Sequence, residues 1–304
     1  MRLQTAGIVA AVAAIVLFVV FTAGPPDPLP NPPGTFSFAV LGDAPYYPWE
    51  EVQFGLVVKA LNRNDVDFVI HVGDIFWHPC SDAMYEKTLE RFDSVRPPLI
   101  YTPGDNEWAD CWEAGSGGYK PLERLNRIRQ ILFSDPPKNA RQAEYIENQR
   151  WTNKGVMFAT VHLVGSWNAM RPFPGRTALD DDASRKRTAA AIAWMRETFA
   201  QARESSAVVI AFHANPAFEE PPAKREAFEP FLAALDEESA KFGKPVLVVH
   251  GDGHDYIIDR PMKHVLRMQV PGSPLVGWVR VFVKPNAPQP FSFRDSVVPR
   301  WKYW

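Results

Sequence analysis

Short runs of consecutive apolar and β-branched residues alternate along this chain with longer stretches whose apolar positions recur every three or four residues. Phe36–Leu41 (FSFAVL), Phe68–Val72 (FVIHV), Leu99–Thr102, Val156–Leu163, Ala207–Phe212 and Val246–Val249 have the length and composition of buried strands. Trp49–Asn62 sets Val52, Leu56, Val57, Ala60 and Leu61 at helical spacing. Pro121–Phe133 opens with proline at a helix start and continues with Leu122, Leu125, Ile128 and Ile131 as its apolar face. Met84–Ser94, Ser184–Ala202 and Phe228–Phe242 read as further helices. From Tyr256 to Val283 the chain breaks into short strands turned at Pro271-Gly272 and Pro274, and beyond Phe291 no regular pattern is visible. The alternation predicts an α/β fold of sheets covered by helices. No internal repeat and no second boundary interrupts it, so residues 35–304 read as one domain.

The N-terminus breaks the pattern. Ala6 to Ala23 is apolar apart from Thr22, about the ~20 residues that span a bilayer. Two readings compete over residues 1–24, a cleaved signal peptide and an uncleaved signal anchor. Cleavage after Ala23 would set Phe21 where a small residue is wanted, and the apolar run is long for a cleaved signal, which favours the anchor. Arg2 then keeps the N-terminus cytoplasmic and exports the rest, to the periplasmic or extracellular side, or into the medium if cleavage occurs. Residues 25–34 (PPDPLPNPPG) form a Pro-rich spacer.

Composition changes this picture little. The 304 residues carry 33 basic and 35 acidic side chains, a net charge of -2, which offers no basic face to nucleic acid. The two cysteines, Cys80 and Cys111, agree with export and predict a disulfide.

The position of the acids is more telling. Asp43, Asp74 and Asp105 each follow a glycine at the end of a predicted strand, Asp252 and His254 follow Gly251 at the end of a fourth, and His213 ends a fifth. In α/β sheets, ligands collect at the carboxyl ends of strands. Four carboxylates and two imidazoles brought together there cannot share a site unpaired. Divalent ions resolve the repulsion, and oxygen plus imidazole without thiolate suits Mn, Fe or Zn. Two such ions can generate hydroxide and clamp an in-line displacement at phosphorus.

The order GD (42–43), GD (73–74), PGDNE (103–107), a lone strand-end His213 and GDGH (251–254) resembles the calcineurin-like metallophosphoesterases, and within them a divergent bacterial subgroup. The resemblance spans residues 36–283. It implies a two-sheet β-sandwich flanked by helices and a metal-dependent phosphoester hydrolase with two divalent ions and a small phosphoester substrate. Carried over by position, Asp43 and His254 would hold the first ion and Asp74 would bridge both. Asp105, His213 and Asp252 would hold the second, and Asn106 would orient a phosphoryl oxygen.

The chain departs from the family pattern at Asp105, which stands where the family has asparagine, at Asp252, which stands where it has the first histidine of its last motif, and at two further places. Pro45 stands where the first motif has a histidine, and Asn106 stands where the third has the histidine that assists the leaving group. Tyr46 and Tyr47 are expected to pack or line the rim rather than approach a metal. An amide cannot act as a general acid, so leaving groups that depart unaided are expected. His71, His250, Lys120 and Arg171 are candidate compensating cations, with His71 and His250 read as core hydrogen-bonding residues and His162 as able to point either way. Trp77, His78 and Trp108 form either an apolar wall over the leaving group or a loop packed about the cysteines. Arg185-Lys186-Arg187 reads as a solvated helix start. The alternative function is a catalytically impaired relative acting as a membrane-anchored binding module.

Overall fold

Two β-sheets stack face to face and helices cover their outer sides, as the alternation predicts. The computed structural model describes residues 28–298. The predicted membrane segment, residues 1–24, lies outside them, and among the described residues no helix is long and apolar enough to cross a membrane.

The first sheet runs β12-β11-β1-β2-β3, built from β1 (Phe36–Leu41), β2 (Val69–His71), β3 (Leu99–Tyr101), β11 (Val276–Val283) and β12 (Phe291–Val298). The second runs β4-β5-β6-β7-β8-β10-β9. Its strands are β4 (Ala140–Arg141), β5 (Gln149–Asn153), β6 (Val156–Thr160), β7 (Ala207–Ala211), β8 (Val246–His250), β9 (Ile257–Met262) and β10 (Val265–Gln269). β1, β2 and β3 are mutually parallel, as are β6, β7, β8 and β10. Parallel pairing sends their carboxyl ends to one edge of each sheet.

Side-chain alternation explains why both sheets are apolar on both faces. Val209 and Ala211 of β7 meet Phe36, Phe38 and Val40 of β1 between the sheets, while Val208 and Ile210 face the outer helices. Those helices are α4 (Ala178–Gln201) and α5 (Glu229–Phe242), with α1 (Pro48–Arg63) covering the first sheet. Phe38 stacks on Phe68 and meets Phe158 of the opposite sheet edge-on at 5.2 Å. Each such ring contributes about 1.5–3 kcal/mol by burial, so the sandwich is a firm base for loops at its edge. α2 (Asp82–Asp93) and α3 (Pro121–Leu132) close the remaining side, packed with the loops that carry Cys80 and Cys111. The two cysteines form the predicted disulfide, their Cα atoms 5.7 Å apart.

Several expectations are corrected. The tail from Phe291 is a strand, with Phe291 and Phe293 packed on the core and Ser292 and Arg294 exposed. It pairs antiparallel with β11 along its whole length. β5 had no apolar signature because QRWTN buries Gln149 and Arg150 through polar partners, and β4 is only Ala140 and Arg141. α4 begins at Ala178, where the Asp180 carboxylate accepts hydrogen bonds from the Thr177 N–H and hydroxyl. Its acidic first turn hid it, as Leu179 there is exposed. Arg187 is not solvated: it is 2% exposed, lies over the Trp108 ring and donates to Asn168.

Candidate metal centre

The carboxyl ends of β1, β2, β3, β7 and β8 converge and bring Asp43, Asp74, Asp105, His213, Asp252 and His254 to one edge. Backbone bonds between the strand ends set the convergence: the Asp43 N–H donates to Gly73 O at 3.1 Å, and the Gly251 N–H to His213 O at 2.9 Å. The approach is closest where the second and third motifs meet. A Cβ on Gly73 would lie 2.3 Å from Gly104 N, and one on Gly104 would lie 2.1 Å from Asp74 Oδ1, so neither position accepts a side chain. Asp43, Asp74, Asp252 and His254 all sit in the left-handed backbone region, at φ 54, 55, 67 and 60. Asp tolerates that region better than most residues, but each still costs roughly 1–3 kcal/mol. The surrounding strands hold these residues in place.

His213 stands at the centre and is fully buried. Its Nε2 is 2.8 Å from Asp105 Oδ1, 3.4 Å from Asp74 Oδ1 and 3.9 Å from Asp252 Oδ1. Its Nδ1 faces the Val72 carbonyl at 2.9 Å, which accepts only, so Nδ1 carries the proton. A neutral ring then aims the Nε2 lone pair at carboxylate oxygens, an arrangement that a cation or an added proton must relieve. His254 is set alike: Nδ1 faces Ser273 O at 2.8 Å, leaving Nε2 turned towards the cluster.

The four carboxylates have His213 as their counter-charge within the cluster. Asp43 is fully buried, its Oδ1 takes the Asp252 N–H at 2.9 Å, and its Oδ2 has no partner. Asp74 Oδ1 takes the Asn106 N–H at 3.1 Å, and Asp252 Oδ2 the Asn215 N–H at 2.8 Å. Burial pushes the Asp43 carboxyl up to about 7 and Asp252, beside Asp105, to about 6. Burial likewise raises Asp74 well above the usual carboxylate range. For Asp105, burial is outweighed by the hydrogen bond and charge of His213, and its carboxyl is lowered. For His213 the penalty of burying its charge is outweighed by Asp74, Asp105 and Asp252, and its ring is raised well above the usual histidine value.

These residues have the chemistry to hold a metal ion. One ligand atom each from Asp43, Asp74 and His213 lies within 4.8 Å of the others, and the same holds for Asp105, His213 and Asp252. The unpartnered Asp43 Oδ2, two imidazoles whose Nε2 atoms face the cluster and an all-oxygen-and-nitrogen donor set suit divalent cations. His213 joins both groups, whereas the family pattern gave it to the second alone. His254 lies at the margin and reaches the cluster beside Tyr46.

Tyr46 is the residue that the sequence reading underweighted. Its hydroxyl donates to Asp74 Oδ2 at 2.6 Å and lies 3.4 Å from His254 Nε2, so it reaches the cluster directly. Glu107 had no assigned role. It is fully buried, and its Oε1 accepts from Gly104 N at 2.7 Å, Tyr101 Oη at 2.7 Å and Asp74 N at 3.2 Å, tying the second and third motifs together. A carboxylate three residues after a strand-end glycine was the available signal. Asn106 is half-buried, and its side-chain amide hydrogen-bonds no other described residue.

The proposed compensating cations are elsewhere. Burial holds His71 and His250 down to about 3, so both are neutral core residues. His162 points inward to Glu147. Arg171 is half-exposed and turned to Glu113 at 3.3 Å and Asp110 at 3.9 Å. Lys120 precedes α3 at the surface. Trp108 is buried and belongs to the packing around the disulfide, but Trp77 is exposed.

The sequence pattern of the Calcineurin-like phosphoesterase family matches residues 36–256. No curated protein matches the chain in sequence. Among solved structures, a dimetal phosphatase from Danio rerio is similar with a TM-score of 0.50 at 12% identity, over 85% of this chain and 98% of that one. A 5'-nucleotidase from Candida albicans is similar with a TM-score of 0.52 at 14% identity, over 90% of this chain and 52% of that one. At such identities these likenesses speak to the fold.

Proposed function

Because this chain belongs to the calcineurin-like phosphoesterase family, we propose that it is a metal-dependent phosphoester hydrolase whose strand-end aspartates and histidines hold two divalent ions. The observation that carries the reading is the gathering of Asp43, Asp74, Asp105 and Asp252 about the His213 ring, a crowding of acids that a bound cation would relieve. Asp43, Asp74 and His254 would hold one ion, with the Tyr46 hydroxyl beside them. Asp105, His213 and Asp252 would hold the other, and Asp74 would serve both. Bound there, such ions lower the pKa of water and screen the charge of a phosphoryl group.

The chain's own residues then divide the work. Glu107 fixes the loops that present Asp74 and Asp105. Asn106 follows Asp105, and its amide would donate to a phosphoryl oxygen and hold the ester still. An amide does not surrender a proton, so nothing at this position protonates a departing oxygen. The enzyme therefore favours leaving groups stable as anions. The disulfide supports an oxidising compartment, and we place the domain on the outer side of a membrane, tethered through its N-terminal segment or released from it.

The test is a panel of phosphomonoesters and phosphodiesters with Mn, Fe or Zn added. Turnover of activated esters that vanishes in Asp74→Ala supports the hydrolase. Ion binding without turnover of any ester favours the alternative, a relative that keeps the centre and serves as a binding module, for which Asn106 and Pro45 in place of histidines are the motivation.

A further inference from the structure

Exposed apolar side chains are not scattered over this molecule. Among the described residues, seven of the eight large exposed hydrophobic ones stand on the connections that leave the carboxyl ends of the strands, or on the helical turns that follow, with Ile258 the exception. That is the edge holding the aspartates. A patch gathered around a site marks what the site meets.

Two exposed indoles stand on loops that touch the cluster, Trp77 three residues after Asp74 and Trp167 two residues after Gly165. Trp77 is 45% exposed, and its ring centroid is 5.3 Å from that of Tyr46, whose hydroxyl touches Asp74. Its loop is not free to fold the indole away at will. Ile75 and Phe76 are buried before it, and Cys80 is fully buried and bonded to Cys111 after it.

Trp167, 51% exposed, follows two residues after Gly165. The chain reaches it through Gly165, where a Cβ would lie 2.6 Å from Asp105 Oδ1, so the backbone itself touches the cluster. Ser166, Trp167, Asn168 and Ala169 then form a left-handed turn at φ 49, 57, 55 and 57. Such a turn costs roughly 1–2 kcal/mol per residue. It is pinned by Ser166 donating to Asp110 at 2.7 Å, Arg187 donating to Asn168 O at 2.5 Å, and Arg176 donating to Ala169 O at 3.0 Å. The core gains little from an indole left half in water, yet strain and three side chains hold it there.

We propose that Trp77 and Trp167 form an aromatic rim that binds a planar ring on the substrate's leaving group, making aryl phosphoesters the preferred substrate class. The proposal rests on the phosphoester reading above and adds to it which esters are taken. Two independent features agree. The rim offers ring faces at the mouth, and Asn106 gives no proton. In the hydrolysis, water oxygen forms the new bond to phosphorus, its proton passes to solvent, and the P–O bond to the leaving group breaks with its electron pair on the departing oxygen. An aryl oxide bears that charge without a proton far better than an alkoxide. A membrane surface is the less favoured occupant, because the described chain enters at the opposite edge, where Arg280 grips Leu29 O at 2.6 Å and Asn31 at 3.2 Å beside the start of β1.

The experiment is calorimetric titration of the Mn-loaded protein with two unreactive probes, methylphosphonate and 1-naphthylmethylphosphonate, in the wild type and in Trp77→Ala, Trp77→Phe and Trp167→Ala. The naphthyl probe should bind about tenfold more tightly, the size of an aromatic contact. Trp77→Ala should lose most of that advantage, Trp77→Phe should keep it, and methylphosphonate affinity should not move. Equal affinities for both probes, or an advantage surviving both alanine variants, overturns the rim and leaves the phosphoester reading standing. Binding of neither probe, with no ester turned over, overturns the phosphoester reading and the rim with it. Rim variants that lose binding to anionic lipid vesicles while the naphthyl preference is absent would assign the patch to a membrane and overturn the proposal.

Discussion

Two of the buried charge clusters among the described residues are balanced in opposite ways. Behind the second sheet, Glu147 is fully buried, yet its Oε1 accepts from Arg129 Nη2 at 2.7 Å and from His162 Nδ1 at 2.6 Å. Despite the cost of burial, His162 and Arg129 hold the Glu147 carboxyl down to about 2. At the strand ends, Asp43, Asp74, Asp105 and Asp252 share a single buried imidazole, and the carboxyls of Asp43 and Asp252 rise to about 7 and about 6. Where the chain supplies its own counter-charge, a buried acid is structural. Where it gathers acids and withholds the cation, the charge must come from outside.

Paired substitutions break this comparison most sharply. Glu147→Ala strands Arg129 and His162 and should cost about 3–5 kcal/mol, the usual penalty for half of a buried pair. Asp74→Asn in protein stripped with a chelator should go the other way and raise stability, by about 1–2 kcal/mol, because it removes one of four crowded carboxylates. Urea unfolding of both variants measures this. If Asp74→Asn destabilises the stripped protein as Glu147→Ala does, the strand-end cluster is structural after all.

Proton linkage sharpens it next. Burial raises the Asp43 carboxyl from 3.8 to about 7, so its contribution is fully present below pH 3.8 and is lost as pH rises towards 7. Burial lowers His162 from 6.5 to about 4, and Glu147 falls from 4.5 to about 2, so their contributions are present at neutral pH and lost as pH falls. Stripped protein should therefore lose stability from the strand-end side as pH climbs from 4 towards 7, and added Mn should abolish that fall. Glu147→Gln should leave the rise-side loss unchanged and blunt the acid-side loss.

The smallest expected effect separates Tyr46 from its neighbours. Tyr46→Phe keeps the ring against Trp77 and removes the hydroxyl between Asp74 and His254. Metal affinity should fall about tenfold, within the range for partners that orient ligands. Unchanged affinity with unchanged turnover would return Tyr46 to packing.

The strand-end cluster was readable in the sequence because its geometry is local. A glycine and an acid at the end of each apolar run place Asp43, Asp74, Asp105 and Asp252, and parallel strands bring them together. The Glu147 cluster was not readable, since Glu147, His162, Arg129 and Arg187 come from separate elements and no spacing joins them. The same cause hid Arg187, whose place in a basic run suggested solvent while Trp108 and Asn168 drew it inward. β12 escaped notice because an edge strand needs only alternate apolar positions, which Phe291 and Phe293 supply. Tyr46 was visible as a residue, but whether its hydroxyl turned to the acids depended on the path of the chain past Pro45.

The most direct test of the account is the metal content of the purified protein, measured by inductively coupled plasma mass spectrometry after dialysis against trace Mn, Fe and Zn. The account predicts two ions per chain in the wild type and in Glu147→Gln, and at most one in Asp74→Ala. No retained metal, or occupancy unaffected by Asp74→Ala, would contradict it.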